Sequence, residues 1–421
     1  MNPSGKRTPQ AYAVAAVSAA EPVVAPPPGN PRFPLMDSLR AIAALMVLVT
    51  HTGFLSGANG TTFYGPYLAR FDIGVTIFFL LSGFLLYRPF VSARLGERDR
   101  PTIPDYTRRR LLRILPAYWL ALTVLAFWPG LAEMWEPHDW VYYGLVQVYF
   151  PQWIAGGLLP AWSLAVEISF YAALPLVVLL MERPFMGRTR EAKIRSELVM
   201  MAVLAVAAIA FRIIVRETDG GVPDSTLYFT LIGNFDWFVL GMFLALASVV
   251  TAGAERRPAV VRLVERRPSL AWLVAAVLFW AIATQMGITA AFPQNYTDME
   301  WLWEHLFYGA IAFFLLLPAV FGGSLGGFPR VVLRNRVLAW LGLISYGIFL
   351  WHHPIVGEMA TKDWGQWRFL GMTLSTFAIA VVCATLSYYL FERPLLRFKY
   401  RSPKRRDAVA RVEPARPLER V

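Results

Sequence analysis

The sequence of 421 residues has one cysteine, Cys383, and five histidines. A single cysteine excludes an intramolecular disulfide and any cysteine-based metal site. The histidines offer neither an HExxH nor an HxxxH spacing, and no Walker loop is present, which argues against a zincin-type metal centre and a P-loop nucleotide site. No metal site is expected. The glycine-rich "GGSLGG" at 322–327 reads as a flexible connection rather than a phosphate cradle. Charge is scarce as well. Only 16% of residues are Asp, Glu, Lys or Arg against 57% hydrophobic, which excludes a soluble enzyme built around one large core.

What the chain has in abundance is apolar sequence of membrane-spanning length. Runs lie near 35–56, 72–90, 112–130, 161–181, 198–215, 227–250, 269–290, 305–321, 337–356 and 368–391, and a helix needs about 20 such residues to cross a bilayer. The fold class is therefore all-α: a polytopic membrane protein with about ten transmembrane helices. A further run at 140–158, "WVYYGLVQVYFPQWIAGGL", is aromatic and broken by Pro and Gly, and is expected to be a re-entrant or interfacial segment. Fifteen tryptophans and seventeen tyrosines suit interfacial girdles. Cys383 falls in the last run and reads as a packing or lipid-facing residue.

The net charge of +12 points to membrane topology rather than to nucleic acid, because it sits between the apolar runs. Eight basic residues lie from Arg88 to Arg113, and five each in 182–197 and 252–268. These connections belong on the cytoplasmic side. The stretches 129–160 and 288–304 hold acids but no Lys or Arg, and belong outside. Three regions follow: 1–34, rich in Ala, Pro and Val, as a disordered cytoplasmic tail; 35–397 as the membrane domain; and 398–421 as a basic cytoplasmic tail. Lys6 and Arg7 before an apolar stretch resemble a signal peptide, but that stretch is weakly hydrophobic and soon meets proline. Both termini are expected in the cytoplasm, with the protein in the inner (plasma) membrane.

Ionisable groups within the spans are costly and mark function. "LRAIAALMVLVTHTGF" at 39–54 carries Arg40 and His51. Eleven steps make roughly three turns, so both side chains share a face about 16 Å apart along the axis. Arg40 is also readable as a snorkelling anchor, and His51 as a packing residue. In "AWSLAVEISFYAALP", Glu167 shares a face with Ser163 and Tyr171, and its expected partner is His51 at similar depth. In "YTRRRLLRILPAYW", Arg110 and Arg113 are one turn apart, with Arg108 and Arg109 continuing the patch. Guanidinium groups there suit phosphate, although a plain positive-inside signal would look alike. "LGLISYGIFLWHHPI" adds Ser345, Tyr346, His352 and His353, the two histidines facing different directions.

Taken in order, these segments resemble the integral-membrane acyltransferase 3 family, the OafA-type O-acyltransferases, over about residues 33–397. The signs are the Arg40–His51 pair, "FFLLSGFLLY" at 78–87, Arg110 and Arg113 in "RRRLLRILPAYW", "WSLAVEISFY" at 162–171, "LISYGIFLWHHPI" at 343–355 and "FERP" at 391–394. Two departures stand out: Ile168 and Ser169 replace a frequent acid and Gln, and Thr76 a frequent acid. The resemblance implies transfer of an acyl group, commonly acetyl, from cytoplasmic acyl-coenzyme A to a hydroxyl of a carbohydrate, glycolipid or glycosylated small molecule. Acyl-CoA would be a donor substrate, with no permanently bound cofactor. On that basis Arg40, Arg110 and Arg113 bind the donor's phosphates, His51 is the general base and Glu167 orients it. Ser163, Tyr346 and His352 are candidates for acceptor or oxyanion contacts. The competing class is a transporter or flippase for a glycan or lipid, in which the arginines hold lipid phosphate and a His–Glu pair relays protons.

Overall fold

The computed structural model describes residues 35–96, 100–183, 186–218, 226–252, 254, 256–290, 296, 299–322 and 326–396. The two expected tails and the centre of the 322–327 glycine stretch lie outside these residues. Among the described residues there is no strand, and the chain is a bundle of helices. The principal ones are α1 (Leu35–Ser56), α2 (Gly74–Arg94), α3 (Ile103–Leu125), α4 (Trp162–Met181), α5 (Arg190–Thr218) and α6 (Leu231–Val250). They are followed by α7 (Ala259–Arg266), α8 (Pro268–Thr284), α9 (Glu300–Val320), α10 (Arg336–Leu343), α11 (Ser345–Ala360) and α12 (Arg368–Leu386).

Each of the ten runs of spanning length is mostly helical. Among the described residues, eight helices are long and apolar enough to cross a membrane, and α7 with α8 forms a ninth if that pair, bent by 93°, counts as one span. The bend follows from Pro268, which cannot continue the hydrogen-bond ladder of α7. The run 337–356 is divided at Ile344 into α10 and α11. The segment 140–158 is a single α-turn, Trp140–Tyr143, and two 3-10 turns, none of spanning length. This is a multi-pass membrane protein.

With lipid outside, helices gain little from hiding apolar surface and associate through close packing. The crossing of α2 and α6 shows this. A Cβ on Gly83 would lie 2.2 Å from the Phe238 carbonyl oxygen, and one on Gly241 would lie 2.1 Å from that of Leu80. Two glycines, each facing the other helix's backbone, let these axes approach at the centre of the bundle. Phe79, Phe170 and Phe238 then stack beside the crossing.

At one end of the bundle Arg330 is fully buried and acts as a pin. Its guanidinium donates to the carbonyls of Val264 and Glu265 near the end of α7, and to those of Pro318 and Phe321 at the end of α9. Gly326 accepts a further bond at 2.7 Å. Helix C-termini leave carbonyls without intrahelical donors and carry partial negative charge, so one cation satisfies two helix ends at once.

Candidate active site

Helices α1, α2, α3, α4 and α11 surround a cavity. Local sequence explains the position of its arginines. Thr102 caps α3 by accepting from the Asp105 amide, which starts the helix so that Arg110 and Arg113 fall on consecutive turns of its first half. Arg40 lies one and a half turns into α1, bonded to Asp37 at 2.5 Å. The sequence-predicted residues Arg40, Arg110, Arg113, Ser163, Glu167 and Tyr346 all line this cavity. Three guanidinium groups against one carboxylate make its polar side cationic. Phe78, Phe79, Phe349 and several leucines form the apolar remainder.

His51 and His352 lie beyond it. His51 Nδ1 is 2.9 Å from His352 Nε2, and the rings are stacked with centroids 5.1 Å apart. His352 is fully buried, whereas His51 is only half-buried. The connection to the cavity runs along two helices. On α1 it spans the eleven residues from Arg40 to His51. On α11, Ser345, Tyr346 and Phe349 line the cavity and His352 follows one turn later on the same face. Phe349 belongs to both regions, its ring centroid lying 6.0 Å from that of Phe78 and 5.8 Å from that of His352.

Three expectations change. Glu167 does not hold His51: it accepts hydrogen bonds from Ser82 and from Tyr171, the latter at 2.7 Å, inside the arginine cavity. The helical period placed Glu167 on the correct face, but depth along the neighbouring helix was not readable from spacing. The hydroxyls of Ser163 and Tyr346 donate to the carbonyls of Pro160 and Ile114, both at 3.0 Å. Their protons are thus committed to the backbone, and neither is available to an oxyanion as the site stands. Finally, His352 and His353 both approach His51, the His353 ring edge-on at 5.0 Å. Adjacent helix positions diverge by about 100°, and the His51 ring sits in the wedge between them. Among the described residues no set of three His, Cys, Asp or Glu is placed to hold a metal ion.

Ser82, Tyr171, Phe78 and Phe349 were not singled out as site residues by sequence reasoning. The signal for Ser82 was a lone hydroxyl in "FFLLSGFLLY", and for Tyr171 its i+4 relation to Glu167.

Comparison with known proteins adds an independent line. The chain is 28% identical to the acyltransferase MdmB of Streptomyces mycarofaciens, covering 92% of this chain and 97% of that one. It is 27% identical to YrhL of Bacillus subtilis (strain 168), named as a peptidoglycan O-acetyltransferase, over 90% of this chain. It is 24% identical to the O-acetyltransferase OatA of Staphylococcus aureus (strain MRSA252), over 91% of this chain. The chain spans only 57% of the length of YrhL and 61% of that of OatA. No solved structure matches it. The acyltransferase-domain model of the acyltransferase 3 family matches residues 34–392, nearly the whole membrane bundle, and the chain therefore belongs to that family.

Proposed function

We propose that the protein is a membrane-bound O-acyltransferase that moves an acyl group, commonly acetyl, from acyl-coenzyme A to a hydroxyl of a carbohydrate or glycosylated acceptor. The observation that carries this reading is the division of one site into two chemically distinct parts joined by α1 and α11: a cationic cavity and a histidine pair. Coenzyme A has the matching division, an anionic nucleotide at one end and a thioester at the other. In this reading Arg40, Arg110 and Arg113 engage the phosphates from the cytoplasmic side. The pantetheine arm then passes the Phe78–Phe349 pair toward His51.

At His51 the acceptor hydroxyl gives its proton to the imidazole as its oxygen attacks the thioester carbonyl. The carbon–sulfur bond breaks, and the proton passes from the imidazolium to the departing sulfur. The products are the acyl ester and free coenzyme A thiol, with no net proton gained or lost. Glu167 serves the donor cavity, where it holds Ser82 and Tyr171. This reading puts the protein in the inner membrane with both termini cytoplasmic.

The test is thiol release from acetyl-coenzyme A by purified protein supplied with membrane-extract acceptors. Wild type should release thiol and label an acceptor. His51→Ala should lose at least about 100-fold in kcat, the scale of general base catalysis, yet still bind coenzyme A. Absence of both thiol release and coenzyme A binding across a broad set of donors and acceptors would refute the proposal in favour of a transporter.

A further inference from the structure

The bonds around His352 specify where its proton sits, and through it where the proton of His51 sits. His352 Nδ1 is 2.7 Å from the Phe349 carbonyl oxygen and 3.2 Å from that of Ile348, one turn back on α11. A carbonyl oxygen only accepts, so Nδ1 carries the hydrogen. In a neutral imidazole the other nitrogen, Nε2, is then a bare acceptor. That Nε2 faces His51 Nδ1 at 2.9 Å. With both rings neutral the contact has one solution: His51 donates from Nδ1, and its own Nε2 is left unprotonated.

We infer that His352 is a positioning residue that holds His51 in the Nδ1–H tautomer, so that Nε2 of His51 is the base. The inference rests on the acyltransferase reading for its consequence and on geometry alone for the tautomer. It assigns to an imidazole the part that Glu167 was expected to play. The burial pattern agrees: His352 is fully enclosed, while His51 is only partly buried. When Nε2 of His51 takes a proton, the Nδ1–H···Nε2 bond becomes charge-assisted and therefore stronger. His352 passes part of that charge to the helix carbonyls through its own Nδ1–H. Because the partner is neutral, it orients the base and supports its cation less strongly than a carboxylate would.

Two measurements on the full chain in lipid test this. The first needs no activity: ¹⁵N NMR of histidine-labelled wild type should show His51, assigned by its loss in His51→Ala, with hydrogen on Nδ1 and a bare Nε2. In His352→Leu, which offers no acceptor, that signal should shift toward the Nε2–H tautomer. A wild-type His51 carrying hydrogen on Nε2 overturns the inference. The second is kinetic. A wrong tautomer costs up to about 10⁴-fold where a carboxylate is the partner, so with a neutral partner His352→Leu should lower kcat by about 10²-fold, with KM for acetyl-coenzyme A changed less than about threefold. His352→Gln, whose Oε1 can accept from His51 Nδ1, should recover about tenfold of that loss. Equal activity of wild type and His352→Leu overturns the inference, as does a Gln variant no better than Leu. If wild type has the expected tautomer but transfers no acyl group from any donor, the functional reading fails and the tautomer assignment stands.

Discussion

Removing a guanidinium from the cavity should be felt only by donors that carry phosphate. Replacing Arg110 or Arg113 with alanine deletes a charge-assisted hydrogen-bond donor, worth about 1.5–3 kcal/mol, or roughly 10- to 150-fold in donor affinity. The structure ranks the arginines. Arg40 is bonded to Asp37 at 2.5 Å, which neutralises part of its charge, so Arg40→Ala should lie at the low end of that range. Arg110 has its Nε buried without a hydrogen-bond partner, and its loss should lie toward the high end. The assay compares KM for acetyl-coenzyme A with KM for S-acetylpantetheine, which has the thioester and arm but no phosphate. Wild type should prefer acetyl-coenzyme A strongly. In Arg110→Ala and Arg113→Ala that preference should shrink by the same factor as the affinity falls, while KM for S-acetylpantetheine stays within about twofold. If the variants weaken both donors equally, or leave the preference intact, the cavity does not read phosphate and the assignment of the arginines fails.

Two further outcomes follow from contacts already described. Glu167→Gln keeps an oxygen that can accept from Ser82 and Tyr171 but removes the carboxylate that opposes the three guanidinium groups lining the cavity, so it should leave KM for acetyl-coenzyme A unchanged or lower it, by up to about 10-fold, and change kcat less than about threefold. Steady-state kinetics on both parameters decides, and a loss confined to kcat would return Glu167 to the histidine. Arg330→Lys should sharply lower the melting temperature, since one ammonium cannot reach the five carbonyls that the guanidinium spans. Buried carbonyls left without donors cost about 1–3 kcal/mol each. A thermal unfolding profile indistinguishable from wild type would show that these helix ends are held by other means.

The sequence by itself determined the class of fold and singled out many of the polar residues that line the cavity. Hydropathy marked the apolar runs because a bilayer-crossing helix needs a continuous stretch whose backbone bonds are all internal, a constraint visible without knowing any neighbour. The 3.6-residue period likewise put Arg40 in line with His51, and Arg110 with Arg113, since those relations stay within one helix. Relations between helices were decided by tertiary structure. Whether Glu167 on α4 meets His51 on α1 or Ser82 on α2 depends on the axial offset of packed helices, and that offset is set by contacts such as the Gly83–Gly241 crossing. Likewise the run 337–356 has the composition of one span, but the chain divides it at Ile344, where a Cβ on Gly342 would lie 1.8 Å from the Asp37 carbonyl oxygen. The two histidines of "WHHP" looked divergent because one helix was considered alone. It took a second helix, bringing His51 to the wedge between them, to make His352 its partner and to fix which nitrogen holds the proton.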